Sequence, residues 1–163
     1  MSKAFVALGS NLAGDLDSPK NQVSRAFQAI DQLPKTTLVQ QSSLYQSAPI
    51  GYVNQPDFIN AVAEIKTQLS PENLLDALLN IEHEAGRERP FANAPRVLDC
   101  DLLLYDDVVL HTEKLTLPHP RMYERAFVLL PLAEIAPDLT LANHGNVVKL
   151  ALEFKNQGIK KLA

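Results

Sequence analysis

Several things are scarce in this chain, and each scarcity excludes something. Cysteine occurs once, at Cys100, so neither an intramolecular disulfide framework nor a multi-cysteine zinc site is available. No apolar run approaches the roughly 18 residues that span a bilayer, so no membrane partner is expected. Met1-Ser2-Lys3 leads directly into a strand-like segment without a signal-peptide pattern, and a soluble, cytoplasmic protein is expected. Positive charge is not in excess: 15 lysines and arginines face 19 acidic residues, a net charge of −4. That balance argues against nucleic acid held by overall electrostatic attraction, although it leaves room for a local anion site. The G-x-x-x-x-G-K-[ST] signature is missing, so the chain is no P-loop nucleotide binder. Gly9 to Gly14 lacks both a lysine and the dinucleotide fingerprint, and reads as a structural turn. Without repeats, low-complexity tracts or Gly/Ser linkers, residues 1–163 read as a single domain.

What is present suits a folded core, with 46% hydrophobic and 21% charged residues. Residues 3–8 read as a strand ended by a turn at Gly9-Ser10-Asn11. A helix is expected from Ser18, with Pro19 at its first position and Val23, Phe27, Ile30 and Leu33 on one face. Strand character returns over 36–46 and again from Phe58 to Thr67, separated by a loop over 47–57. Ser70-Pro71-Glu72 opens a second helix, with a stripe of Leu75, Leu78, Leu79 and Ala85 and a terminator at Gly86. Val97 to Tyr105 reads as an interior strand. The order β-α-β-β-α-β points to an α+β fold of the ferredoxin-like kind. Beyond it, Asp106-Asp107 reads as a turn and 108–110 as a short strand, with helices over 121–130 and 146–155.

The most informative feature is Asp99-Cys100-Asp101. Residues two apart in a strand project from one face, with Cα atoms about 6.6 Å apart. Two carboxylates so placed repel one another, and the flanking Leu98, Leu102, Leu103 and Leu104 suggest a covered strand, where unpaired charge is costly. A divalent cation relieves that cost. Magnesium takes one or two carboxylates and completes its shell with water and phosphate oxygens, and two metals could share the pair. Asp-x-Asp also occurs at sheet ends facing water or arginine; the apolar surroundings shift the weight towards metal. Cys100 faces away from both aspartates and reads as a small core residue.

Five of the six arginines fall between Arg87 and Arg125, a span of 39 residues. Arg87, Arg89, Arg96, Arg121 and Arg125 could converge on a polyphosphate, which guanidinium groups grip with a planar fork. Singly, each could as well pair with Glu84, Glu88 or Glu124 on a solvated face. His119, between two prolines, could donate to a phosphate oxygen. Phe58 and Asn60 share a strand face, offering a flat ring an aromatic platform and a donor–acceptor amide, with Phe127 as a candidate second wall. Glu82 falls on or beside the buried stripe of the second helix, where a carboxylate either takes an arginine or metal-bound water as partner or, from an edge position, reaches solvent.

Taken together these stretches resemble the 6-hydroxymethyl-7,8-dihydropterin pyrophosphokinase family. The residues that carry the resemblance are Ala7 to Leu12, Gln55 to Asn60, Ile81-Glu82, Gly86-Arg87, Pro95 to Asp101, Leu117 to Met122 and Arg125 to Phe127. It implies a three-layer α/β/α ferredoxin-like fold with ATP as co-substrate and two Mg2+ ions. It further implies transfer of pyrophosphate from ATP to the pterin hydroxymethyl group with release of AMP, a step of folate biosynthesis. By resemblance Asp99 and Asp101 hold the metals, Arg87 and Arg96 act with them in catalysis, and Phe58, Asn60 and Phe127 hold the pterin. Ser47, Ala48, Pro49, Ile50 and Gly51 extend the pterin-binding set. Glu82, Arg87, Arg89, Arg96, Lys114, Thr116, His119 and Arg125 make up the ATP-binding set. The chain departs from the family pattern at Ala92-Asn93-Ala94, where arginine, tryptophan and glycine are common. A monomer is expected, since no helix carries a surplus apolar face. Other readings share parts of the pattern: another Asp-x-Asp nucleotidyltransferase or phosphohydrolase, or a non-catalytic ferredoxin-like binding module.

Overall fold

In the computed structural model, described for residues 1–14, 16–49, 54–86, 97–154 and 157–162, the first strand, β1 (Ser2–Ser10), is buried from Ala4 onward. Such continuous burial needs cover on both faces of the sheet. α1 (Pro19–Asp31) begins where Ser18 accepts a hydrogen bond from Asn21 N–H, with Pro19 at the first helical position. β2 (Thr36–Gln41) and β3 (Tyr45–Ser47) replace the single strand expected over 36–46. The ladder breaks because the Ser42 hydroxyl accepts from Val62 N–H while Ser42 N–H donates to Val62 C=O. β4 (Phe58–Thr67) is the long central strand, and α2 (Pro71–Glu84) follows with Ser70 as its cap. β5 (Asp99–Tyr105) then returns to the sheet, and β6 (Leu110–His111) and β7 (Thr116–Leu117) form a small hairpin.

The helix expected over 121–130 is a 3-10 turn at Met122–Glu124 followed by α3 (Ala126–Ile135), with Arg125 extended between them. β8 (Thr140–Leu141) and β9 (Gly145–Asn146) make a second hairpin, α4 (Val147–Glu153) matches the last expected helix, and β10 (Ile159–Lys161) closes the sheet. Its order is β10-β3-β4-β1-β5, with β2 also on β4, and every pairing is antiparallel.

One face of this mixed α+β sheet, including Val6, Leu8, Ala61, Ile65, Cys100 and Leu102, packs with Val23, Ile30, Leu74 and Leu78 of α1 and α2. The other face, including Phe5, Ala7, Val62 and Leu103, packs with Val128, Leu129, Leu132 and Leu150 of α3 and α4. Helices thus cover both faces. The apolar face of α2 is rotated from expectation: Leu74, Leu78 and Ile81 are buried, while Leu79 is 40% exposed. No helix among the described residues is long and apolar enough to cross a membrane.

Candidate functional site

β1 does not turn at Gly9, as expected, but runs on through Ser10, and the reason lies across the strands. Gly9 pairs with Asn60 on one side and Asp99 on the other, and Asn60 pairs in turn with Tyr45. A Cβ on Gly9 would lie 3.2 Å from Asn60 Oδ1, so glycine lets the amide lie over the strand. One step along, Ala7 stands between Val62 and Asp101. The registers therefore put Ser47, Phe58, Asn60, Asp99 and Asp101 on one face, the α3/α4 face. Cys100 sits on the opposite face, as expected, in the α1/α2 core.

Where that face runs out beyond the start of α3 it forms a cleft of about 800 Å³, open to solvent. Phe58 and Asn60 from β4, Ser47 and Ala48 from and after β3, Asp99 and Asp101 from β5, and Phe127 from α3 all line it. Asn60 is buried, and its Nδ2 donates to Ser47 Oγ at 2.6 Å, which orients the amide. The loop leading into β4 is held by Asn11, whose Nδ2 donates to Gln55 Oε1 and to Pro56 C=O. Arg121 and Arg125 also line this cleft, and Arg125 lies 5.4 Å from the Phe127 ring centroid. Arg125 therefore stands beside the aromatic wall rather than apart from it.

A second cleft, of about 770 Å³, lies over the edge strand β5, between α2 and the β6–β7 hairpin. Glu82, Lys114, Thr116 and His119 line it together with Leu75, Leu79, Leu102 and Leu115. The two clefts meet at Asp101, which lines both. The hairpin that walls the second cleft is closed by Thr112, whose N–H donates to Leu115 C=O while its Oγ1 accepts from Leu115 N–H.

Glu82 has a partner of a kind the sequence did not suggest: its Oε1 accepts from Cys100 N–H at 2.8 Å, between the two aspartates. The buried carboxylate thus satisfies a donor of the edge strand while lining the cleft. Lys114 donates to Asp76 of α2 and ties the hairpin to that helix at 2.8 Å. His119 continues the edge of β5 through its N–H to Leu103 C=O, and its Nδ1 accepts from Arg121 N–H. That acceptor role leaves Nε2 to carry the proton. Burial lowers the His119 pKa; Asp101 opposes the shift, and Arg125 and Arg121 add to it. A neutral imidazole with Nε2–H is a donor fit for a phosphate oxygen.

Of the expected site residues, Arg87, Arg89, Arg96, Ile50 and Gly51 lie outside the described residues, as do Ala92, Asn93 and Ala94. Pro49 is not among the described residues lining either cleft. Reasoning from the sequence missed Leu75 and Leu79 as cleft walls, because both were placed in the buried stripe. The signal was available: Leu74, Leu78 and Ile81 form a complete i, i+4, i+7 face without them.

Residues 5–137 match the 7,8-dihydro-6-hydroxymethylpterin-pyrophosphokinase family. A 2-amino-4-hydroxy-6-hydroxymethyldihydropteridine pyrophosphokinase of Haemophilus influenzae is 46% identical over 162 residues, covering 99% of both chains. The protein of that name from Pseudomonas aeruginosa is 44% identical over 162 residues, covering 99% of this chain and 98% of its own. In the crystal structure of wild-type Plasmodium falciparum HPPK-DHPS, the fold recurs with a TM-score of 0.72 at 13% identity, over 94% of this chain and 44% of that one. With its family match and full-length relatives, the chain belongs to the 7,8-dihydro-6-hydroxymethylpterin-pyrophosphokinases, ATP-dependent pyrophosphokinases of folate biosynthesis.

Proposed function

We propose that the first cleft receives the flat ring of 6-hydroxymethyl-7,8-dihydropterin and the second receives ATP, and that pyrophosphate crosses between them at Asp101. The observation that carries this division is the meeting of two chemically different clefts at one carboxylate. In the first, Phe58 and Phe127 offer faces for stacking, and Asn60, oriented by Ser47, offers the hydrogen-bonding edge. In the second, Leu75, Leu79, Leu102 and Leu115 supply apolar cover for a base, with Thr116, Lys114 and His119 for polar contacts. Arg87, Arg89 and Arg96 complete the proposed ATP set from the sequence pattern. Arg125 serves from the pterin side, where its guanidinium faces the transferred group.

The pterin hydroxymethyl oxygen attacks the β-phosphorus of ATP in line. An O–P bond forms there while the hydroxyl proton is released to water, the bond from the β-phosphorus to the oxygen bridging the α-phosphorus breaks, and AMP leaves with that oxygen. His119 Nε2–H and the arginines stabilise charge on the phosphoryl oxygens. No side chain is assigned as an indispensable base.

Asp99 and Asp101 suit Mg2+: they share a strand face, Asp99 is buried, and no third metal-ligating carboxylate, histidine or cysteine gathers with them among the described residues. Such a pair leaves the other coordination positions to water and phosphate oxygens. When bound, two such ions would neutralise and polarise the triphosphate. The strand order and alternating crossovers support a ferredoxin-like βαββαβ core within a single domain, extended by C-terminal elements. A monomer is the proposed working unit, and the need for ATP supports a cytoplasmic setting. The test is incubation with ATP, Mg2+ and 6-hydroxymethyl-7,8-dihydropterin, with AMP and pyrophosphorylated pterin expected in equal amounts. ADP or inorganic phosphate without AMP would overturn the assignment.

A further inference from the structure

Arg125 is flanked on both sides by hydrogen bonds from one distant side chain. Gln157, beyond the family-matched residues 5–137, accepts Ala126 N–H at its Oε1 at 2.9 Å. Its Nε2 donates to Glu124 C=O at 3.0 Å. The two bonds bracket Arg125, whose backbone is extended (φ −114°, ψ 107°) between the 3-10 turn and α3. Within this stretch no side chain of the helix's own N-cap residue supplies a cap, so Gln157 performs that task from 31 residues away. The same segment abuts the cleft elsewhere. Gly158, in the left-handed region at φ 74°, lies against Ala48, and Ile159 pairs with Ser47 in the sheet.

We propose that Gln157 is a positioning residue for the pterin cleft, acting through Arg125 and Phe127. The amide fixes the backbone on either side of Arg125, which sets where its guanidinium enters the cleft and where the Phe127 ring stands opposite Phe58. β10 anchors Gln157 to the same sheet edge that carries Ser47, so one short segment references both walls of the cleft to each other. The second cleft draws no wall from this segment among the described residues. The inference rests on the assignment of the first cleft to the pterin.

The test compares Gln157→Ala and Gln157→Met with the parent full-length chain, alongside Asn60→Ala. AMP release is followed at varied pterin and varied ATP, and the melting temperature of each variant is recorded. Methionine keeps most of the volume and removes both hydrogen bonds, so it separates the bracket from packing. Both Gln157 variants are expected to raise the pterin KM about tenfold, through Phe127 and Arg125 together, and the ATP KM no more than about threefold, through Arg125 alone. A pterin KM unchanged in both Gln157 variants, while Asn60→Ala raises it, overturns the role of Gln157 alone. A pterin KM unchanged in Asn60→Ala overturns the cleft assignment and the inference with it. Parallel rises in both KM values, tracking the loss in melting temperature, overturn a positioning role in favour of general stabilisation.

Discussion

The two clefts are built by different means. The first rests on the face of the sheet, where Ser47, Asn60, Asp99 and Asp101 stand at register positions of β3, β4 and β5 fixed by backbone ladders, with Arg121 and Arg125 reaching it from the stretch before α3. The second hangs over the sheet's edge, between one helix and a two-residue-per-strand hairpin tied back by Lys114 and Asp76. In the proposed division the ring has one wall on the sheet, Phe58, and the other on α3, Phe127. The flexible triphosphate lies over the edge strand, where Lys114 and His119 stand, and meets Arg121 and Arg125 where the clefts join. Asp101 belongs to both arrangements, and the pair Asp99 and Asp101 is where the comparison can be broken most completely.

Replacing Asp99 or Asp101 with alanine is expected to lower kcat by about a thousandfold or more while the melting curve stays cooperative, because the charge of the triphosphate is then left unbalanced. Isothermal titration should separate the two: Asp101→Ala weakens Mg-ATP and pterin together, Asp99→Ala the pterin side first. Equal, near-normal turnover in both variants would sink the assignment. Next in size, Asn60→Ala is expected to raise the pterin KM by about thirtyfold with little change for ATP, since a site built to hydrogen-bond an edge loses strongly when the partner goes. Gly9→Ala acts on the same amide from below. Its Cβ would stand 3.2 Å from Asn60 Oδ1, and a pterin KM raised about threefold is expected. The opposite cleft answers to Leu79→Ser, which should raise the ATP KM about threefold and leave the pterin KM unmoved.

The same difference explains what could be read in the residues alone. Asp99, Asp101, Phe58 and Asn60 were legible because a period of two within an apolar run places side chains without further knowledge of the fold. The helix starts at Ser18-Pro19 and Ser70-Pro71 were equally local, since cap and first-turn proline adjoin the helix they begin. The break at Ser42 was not, because the bonds that interrupt the strand come from Val62, twenty residues away. Nor was the partner of Glu82, a backbone N–H that only strand order brings beside it. The 3-10 turn before α3 and the bracket from Gln157 depend on the last tenth of the chain folding back. Its short strand, Ile159–Lys161, carries no alternation by which to recognise it.

The smallest expected effect probes how α3, which carries Phe127, is held to the strand that carries Ser47. Glu134 of α3 accepts from Ser43 N–H, from the Ser43 hydroxyl and from the Tyr45 hydroxyl at 2.8 Å, and Lys161 of β10 lies 3.9 Å away. Burial pushes the Glu134 pKa up, but the bonds from Ser43 and Tyr45 and the Lys161 charge outweigh it, and the net value lies below the ordinary 4.5. Burial and the same carboxylate push the Tyr45 hydroxyl upward, so it stays a donor through the neutral range. A carboxylate held below its unfolded pKa binds fewer protons folded than unfolded, so its stabilisation is present above about pH 4.5. It is lost as pH falls through the lower folded value. Glu134→Gln keeps the shape but not the charge and is expected to melt about 2–4 °C lower at pH 7. Thermal melts from pH 7 to pH 3 should show that gap closing in the acid range. A gap that stayed constant across it would mean that shape, not charge, holds the helix to the strand.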